Sequence, residues 1–287
     1  MMIIQEILQK GTEFLQASGN LNARMEAQMI LSEVTGKTKE WFVTHFDEVI
    51  SEKESEAFYT IIEKRAKGEP LQYLLGYTYF MGLRFLVNEN VLIPRADTEI
   101  LVESVIQRIE KEKKVKLLDL CTGSGCIAIS LKKYLEKAEI FASDISKKAL
   151  ETAKKNAFEN QVAVEFILSD RFQKIPDIKF DAIVSNPPYL TESEMTELQK
   201  EVMYEPKLAL AGGRDGLDFY REIAEKAKTY LRDGGILAFE IGFRQADAVS
   251  AVLSEQNYRE IEVLKDYSGN QRVVISKKIT GGIHESN

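Results

Sequence analysis

Histidine is nearly missing from this chain. Of 287 residues only His45 and His284 are histidines, so imidazole acid–base chemistry has almost nothing to work with. Cysteine is as scarce: Cys121 and Cys126 are the only 2, flanking a glycine-rich turn at a spacing that suits neither a disulfide framework nor a zinc site. No metal is expected. No apolar run reaches the roughly 18 residues of a membrane-spanning helix. The opening Met1-Met2-Ile3-Ile4-Gln5-Glu6 lacks a basic region followed by an apolar stretch, and no signal peptide is expected there. Positive charge is also short. A net charge of −7 and a pI near 5.2 match a phosphate backbone poorly. These absences point to a cytoplasmic protein with no membrane partner and no direct nucleic-acid contact. Internal repeats and low-complexity tracts are missing too.

The composition that remains, 44% hydrophobic and 29% charged, is that of a globular chain with a sizeable core. From about Ile3 to Lys67 the pattern is helical. Apolar residues recur three and four apart (Ile7, Leu8, Phe14, Leu15, then Met25, Met29, Ile30), and proline is absent until Pro70. Residues 72–93 change character: Tyr73, Tyr77, Tyr79, Phe80, Phe85 and Val87 alternate with smaller or polar neighbours, which predicts a β-hairpin or extended linker. From Asp97 a helix leads into regular alternation. Strands are expected at Val115–Leu120, Glu139–Ser143, Ala163–Leu168, Phe180–Ser185 and Gly235–Ile241. Helices are expected between them at Ile127–Tyr134, Lys147–Asn160 with Ser146 as N-cap, Leu217–Leu231 and Gln245–Glu255. Glu260–Lys265 and Gln271–Ser276 close the sheet. Such βα units predict a mostly parallel sheet with helices on both faces and one antiparallel edge strand.

Asn186-Pro187-Pro188-Tyr189 follows the apolar run Phe180–Ser185 directly. Proline lacks the N–H that a ladder needs, so the strand stops at Ser185 and a stiff loop begins. The carboxyl edge of an open α/β sheet is where ligands bind. The loop offers a side-chain amide, carbonyls fixed by proline rings and an aromatic face, a set able to grip a planar amide or amino-aromatic group. The plainer alternative is a Pro-rich turn capped by Asn.

A second strand-to-helix junction, Leu117 to Ile127, carries the turn Cys121-Thr122-Gly123-Ser124-Gly125. Glycines allow close backbone approach, and the helix start presents free N–H groups. Asp144, with Ile145 beside it, ends the next strand, where a carboxylate suits a ribose diol. Gly123-x-Gly125-x-x-Ala128 also satisfies the dinucleotide fingerprint, so a nicotinamide-dependent oxidoreductase is a rival. Three features favour S-adenosylmethionine instead. Asp119 puts a carboxylate in the strand before the turn, near where an ammonium would sit. Ser169-Asp170-Arg171-Phe172 ends the third strand with a carboxylate and a ring for an adenine, although Asp170 can equally be a turn former and Phe172 a core ring. The Asn-Pro-Pro-Tyr loop then follows strand four.

With these motifs the chain resembles the Rossmann-like S-adenosylmethionine methyltransferases of planar nitrogens, and more closely the HemK/PrmC family of release factor glutamine methyltransferases. The resemblance covers nearly the whole chain. It includes Gly68-Glu69-Pro70-Leu71-Gln72-Tyr73-Leu74-Leu75-Gly76, Phe80-Met81-Gly82 and Val91-Leu92-Ile93-Pro94-Arg95-Ala96-Asp97-Thr98-Glu99. Downstream it includes Glu205-Pro206, Ala211-Gly212-Gly213-x-Asp215-Gly216-Leu217 and Glu240-Ile241-Gly242. It implies a helical N-terminal domain (1–70), a β-hairpin linker (71–96), a seven-stranded methyltransferase domain (97–278) and a polar tail (279–287). It also implies a protein substrate, the glutamine of the Gly-Gly-Gln motif in class 1 peptide-chain release factors. The chain departs from the family in two places: Cys121 stands where the turn usually begins with glycine, and Arg171 where tryptophan is often found.

The expected site is therefore Asp119, Cys121, Thr122, Gly123, Ser124, Gly125, Asp144, Ile145, Asp170, Arg171, Phe172 and Asn186 for the cofactor. Asn186, Pro187, Pro188, Tyr189 and Arg95 are expected to meet substrate, with Asn186, Pro187 and Tyr189 at the reaction. The N-terminal helices and residues 72–99 are the candidate docking surface, or else a stabilising cap. A monomer is expected. Rivals within the methyltransferases are adenine-N6 DNA and guanine-N2 RNA enzymes, which the acidic total disfavours. The oxidoreductase lacks a visible proton donor, and a non-catalytic binding module would leave the loop idle.

Overall fold

The computed structural model describes residues 2–279, which form two compact units, one of Met2–Tyr77 with 199–204 and one of 78–198 with 205–279. The expected tail lies outside the described residues except for Ile279, and so does His284. Among the described residues no helix is long and apolar enough to cross a membrane.

The first unit is helical: α1 (Ile4–Ala17), α2 (Ala23–Thr35), α3 (Lys39–Thr44), α4 (Glu52–Ala66) and α5 (Leu71–Leu75). Ile7, Leu15, Ala27, Ile30, Phe58 and Ile62, all fully buried, are its centre. A capping box of Ser51 and Glu54 starts α4, and Gly36 ends α2 in the left-handed conformation. The buried Arg65 guanidinium makes a two-pronged pair with Glu26 and a further contact with Glu201. Helix α5 departs from the sequence expectation of hairpin or extended chain over 72–93. The five residues after Pro70 are too few to display a helical period, and only Pro70 before them and Gly76 after them mark the element.

The hairpin β1 (Tyr77–Phe80) and β2 (Leu83–Leu86) follows as expected. The second unit then runs α6 (Ala96–Arg108), β3 (Lys116–Leu120), α7 (Cys126–Tyr134), β4 (Glu139–Asp144), α8 (Lys147–Glu159), β5 (Glu165–Leu168) and β6 (Phe180–Ser185). It continues with α9 (Asp218–Tyr230), β7 (Leu231–Glu240), α10 (Ala246–Glu255), β8 (Tyr258–Lys265) and β9 (Gln271–Lys278). The seven-stranded order is β5-β4-β3-β6-β7-β9-β8. Strands β5 to β7 are parallel, and the expected reversal occurs at the far end, where β9 runs antiparallel between β7 and β8. Side chains alternate across the sheet. Leu117, Ala182 and Val184 join a core that includes α6 and α7, while Leu118, Phe180 and Ile183 join one that includes α9 and α10.

Chain order runs outward from β3 to β5 and then returns to β6 on the other side of β3. That reversal is a topological switch point, and it opens a crevice at the carboxyl ends of the strands. Register sharpens the placement. Leu120 lies opposite Ser143 on one side and Ser185 on the other, and Asp144 lies opposite Leu168. Strands β3, β4, β5 and β6 therefore stop at one level, and the loops that follow them share one edge.

Candidate active site

A cleft of about 270 Å³ opens at that edge. Cys121, Gly123, Asp144, Ile145, Asp170, Arg171, Asn186 and Pro188 all line it. The sequence had placed each of these in the site, and parallel strand order brings them together from four separate loops.

The turn after β3 is held from beneath. Asp119, 1% exposed, accepts from the Thr122 hydroxyl and the Ala128 N–H, so it ties the turn to the first residues of α7. Its other oxygen has no hydrogen-bond partner among the described residues. Asp119, Thr122, Ser124 and Gly125 do not line the cleft; they lie behind Cys121 and Gly123, which do. Cys121 has φ +60, a conformation that non-glycine residues seldom adopt. A small side chain thus sits on a glycine-like backbone at the start of the turn.

Asp144 is anchored through both oxygens. Oδ2 accepts from Gly123 N at 2.9 Å and Oδ1 from Ser146 N at 2.8 Å, which also joins the β3 turn to the start of α8. Burial pushes its carboxyl above the usual range, against the pull of these N–H groups.

Phe172 does not reach the cleft. It is buried in the core with its ring stacked on Tyr230, 4.8 Å between centroids. Arg171, at φ +45, turns the chain so that the next side chain points inward. The aromatic residue that does line the cleft is Phe219, in the first turn of α9, with the Arg171 guanidinium 5.4 Å from its ring centroid. Asp170 and Glu222 hold that guanidinium from either side. Nothing in the sequence separates Phe219 from any other apolar residue of an amphipathic helix.

Within Asn-Pro-Pro-Tyr, Asn186 and Pro188 line the cleft, whereas Pro187 is buried and the Tyr189 ring packs toward the core beside α9 and α10. Burial pushes the Tyr189 hydroxyl up to about 12, so it keeps its proton and is no base. Among the described residues the Asn186 Oδ1 and the Pro187 carbonyl take no hydrogen bond. The loop's backbone is clasped by 210–216. Leu190 N donates to Leu210 O, and Gly212 N donates to Leu190 O. A Cβ on Gly212 would stand 2.6 Å from Tyr189 Cα, and one on Gly216 2.3 Å from Tyr189 O, so only glycine fits at either position.

The segment Arg95 to Glu99 supports the same corner. Arg95 pairs with the buried Glu205, which also accepts from Ile93 N; Asp97 pairs with Arg272; Glu99 accepts from Met81 N; and the Thr98 hydroxyl faces Asn186. Arg95 itself is exposed and lies outside the cleft lining.

Two buried carboxyls near the site, Asp119 and Glu240, are each pushed up to about 7 by burial. Both bind protons more tightly folded than unfolded. Their contribution to stability is complete below the ordinary carboxylate range and is lost as pH rises through about 7. Thermal unfolding of the ligand-free protein is thus expected at higher temperature near pH 6 than near pH 8. A melting point that falls between those two values on acidification contradicts the assignment.

Comparison with known proteins agrees with this geometry. Residues 96–214 match the family model for the methyltransferase small domain, and residues 6–76 that for the PrmC N-terminal domain. The chain is 42% identical over 277 residues to a release factor glutamine methyltransferase of Fusobacterium nucleatum, covering 95% of this chain and 78% of that one. It is 39% identical over 289 residues to the protein of the same name from Clostridium acetobutylicum, covering 98% of this chain and 100% of that one. A methyltransferase crystal structure from Pyrococcus furiosus shares the fold, with TM-score 0.53 at 18% identity over 70% of this chain and 91% of that one. With relatives this similar along nearly its full length, the chain belongs to the release factor glutamine methyltransferase family.

Proposed function

We propose that this protein transfers a methyl group from S-adenosylmethionine to the side-chain amide nitrogen of the glutamine in the Gly-Gly-Gln motif of class 1 peptide-chain release factors. One observation carries the reading: two acceptors without a hydrogen-bond partner among the described residues, Asn186 Oδ1 and the Pro187 carbonyl, sit on one rigid corner at the switch-point edge.

The cleft suits the cofactor. Gly123 has φ +54 and open space where a Cβ would be, which leaves room over the turn. Asp144 keeps acceptor capacity beyond its two N–H contacts, as a ribose diol requires. Arg171 and Phe219 offer flat surfaces for an adenine in the place that Phe172 does not fill. The buried Asp119 oxygen that has no partner among the described residues places a carboxyl behind the turn, on the side where an ammonium group would favour its charged form. Bound there, S-adenosylmethionine supplies a methyl on a sulfonium sulfur that departs as a neutral thioether.

The protein's own contribution is to prepare a weak nucleophile. A carboxamide nitrogen shares its lone pair with the carbonyl. Asn186 Oδ1 and the Pro187 carbonyl accept its two hydrogens, which holds the nitrogen in line with the methyl and favours pyramidal geometry as the N–C bond forms. Tyr189 backs the corner. One amide hydrogen then leaves the methylated nitrogen as a proton to solvent, and no general base is required. Holding reactants in this way can supply about 7–11 kcal/mol of the barrier.

The first unit is read as the docking surface for the release factor. Supporting this, it carries a groove lined by Leu8, Phe42, Val43 and Phe46 with Arg24 at its edge. The chain is read as a cytoplasmic monomer that acts on protein and not on nucleic acid. Incubation with labelled S-adenosylmethionine and either release factor, transfer RNA or DNA tests the assignment. Label is expected on the factor alone, at the Gly-Gly-Gln glutamine, with a higher KM for a short Gly-Gly-Gln peptide. Label on nucleic acid, or on factor whose motif glutamine has been replaced, contradicts it.

A further inference from the structure

Asn186 can work in only one of two orientations. Its carboxamide has an acceptor end and a donor end of nearly equal shape, and half a turn about χ2 exchanges them. A substrate amide gripped by its two hydrogens needs the oxygen end in the cleft. The nitrogen end there would set donor against donor. Nothing within Asn-Pro-Pro-Tyr makes this choice, so it must be made behind the side chain.

Strands β6 and β7 are registered with Ser185 opposite Phe239, which brings Asn186 beside Glu240, the last residue of β7. Glu240 is 2% exposed, and its Oε2 has no hydrogen-bond partner among the described residues. Thr98, buried in the first turn of α6, has its Oγ1 3.5 Å from Asn186 Nδ2. The Thr98 hydroxyl and the Asn186 amide both face the Glu240 carboxyl and favour its charged form.

We propose that Glu240 and Thr98 are positioning residues that hold the Asn186 nitrogen inward and so present its oxygen to the substrate amide. The inference rests on the amide-holding role given to Asn186 above. A carboxylate accepts and cannot donate, so only the nitrogen end of Asn186 can face it. The Thr98 hydroxyl gives its hydrogen to Glu240 and offers a lone pair to Nδ2, which reinforces the same choice. A protonated Glu240 can donate, and the amide is then free to turn over. The charged and titratable groups facing Glu240 are Arg272 from β9, Asp97 from α6, Cys126 from α7, Tyr189 from the β6 loop and Tyr220 from α9. Burial outweighs them and leaves its titration at about 7. At saturating cofactor, kcat therefore falls as pH drops through that value.

The test measures Thr98→Val, Thr98→Ser, Glu240→Gln and Asn186→Ala for cofactor affinity by calorimetry and for kcat across pH on intact release factor. Thr98→Val and Glu240→Gln are expected to lose about 10²-fold in kcat with cofactor affinity unchanged, the cost of a misplaced reacting group. Thr98→Ser, which keeps the hydroxyl, retains most of kcat. Glu240→Gln loses the fall of kcat on the acid side. Equal losses in Thr98→Ser and Thr98→Val, or full kcat in Thr98→Val and Glu240→Gln beside an inactive Asn186→Ala, overturn this inference alone. An active Asn186→Ala overturns it together with the amide-holding reading beneath it.

Discussion

Asn186→Ala is expected to lower methyl transfer by about 10²–10³-fold or more, the effect of deleting one well-placed polar group at a reacting centre. Cofactor affinity should be nearly unchanged. The side chain ends at the cleft, but the cofactor's main anchors are the β3 turn and Asp144, which Asn186 does not touch. The substitution also removes a single side chain from a corner whose backbone is held separately by Gly212 and Leu190. Folding should survive, and a melting curve close to that of the unaltered protein would show that the lost rate is chemical. Loss of cofactor binding in step with rate would reassign Asn186 to the nucleoside.

The reverse separation is expected at Asp144. Its carboxylate accepts from Gly123 and Ser146 and has lone pairs left for a diol. Hydrogen bonds to a charged group contribute about 1.5–3 kcal/mol each, so Asp144→Ala should weaken cofactor binding by about 10²-fold or more. Part of that loss is indirect, because the Gly123 N–H loses its acceptor and the turn loses its tie to α8. At saturating cofactor much of kcat should return. Unchanged affinity with a collapsed kcat would mean that Asp144 is not a cofactor ligand.

The two substitutions divide the site along lines the sequence already drew. Strand β6 was legible to the residue, because an apolar run ends at two prolines that cannot continue a ladder. The glycine turn from Cys121 to Gly125 and the carboxylate at Asp144 were legible from their spacing along a strand–turn–helix unit, whereas the left-handed backbone at Cys121 was not. Parallel order did the rest by stopping four strands at one level. Phe172 was not legible, since its direction depends on Arg171 lying at positive φ, which arginine does not advertise. Helix α5 was hidden by its brevity.

The supports behind the site were the least visible. Glu205 and Glu240 stood out only as parts of segments that carry the resemblance, and the residues beside them do not reveal what either carboxyl meets. Each meets residues distant in sequence: Glu205 bonds Ile93 and Arg95, and Glu240 faces Thr98 and Asn186. Such pairings arise only when β6, β7 and α6 come together, so no window of the chain contains them. The Arg95–Glu99 segment was informative as a resemblance. Its physical basis is packing around the Asn-Pro-Pro-Tyr corner: Thr98 faces Asn186, while Arg95, Asp97 and Glu99 fasten the segment to Glu205, Arg272 and Met81. Gly212 and Gly216 have the same basis, since both lie against the Tyr189 backbone.

The central claim is that this corner reads a carboxamide by both of its hydrogens. A crystal structure of the protein with S-adenosylhomocysteine and a Gly-Gly-Gln peptide tests it most directly. The account predicts the glutamine nitrogen within hydrogen-bonding distance of both Asn186 Oδ1 and the Pro187 carbonyl, at about 2.7–3.2 Å, and facing the sulfur. A glutamine whose nitrogen points away from those two oxygens, with its own carbonyl against Asn186, would contradict it.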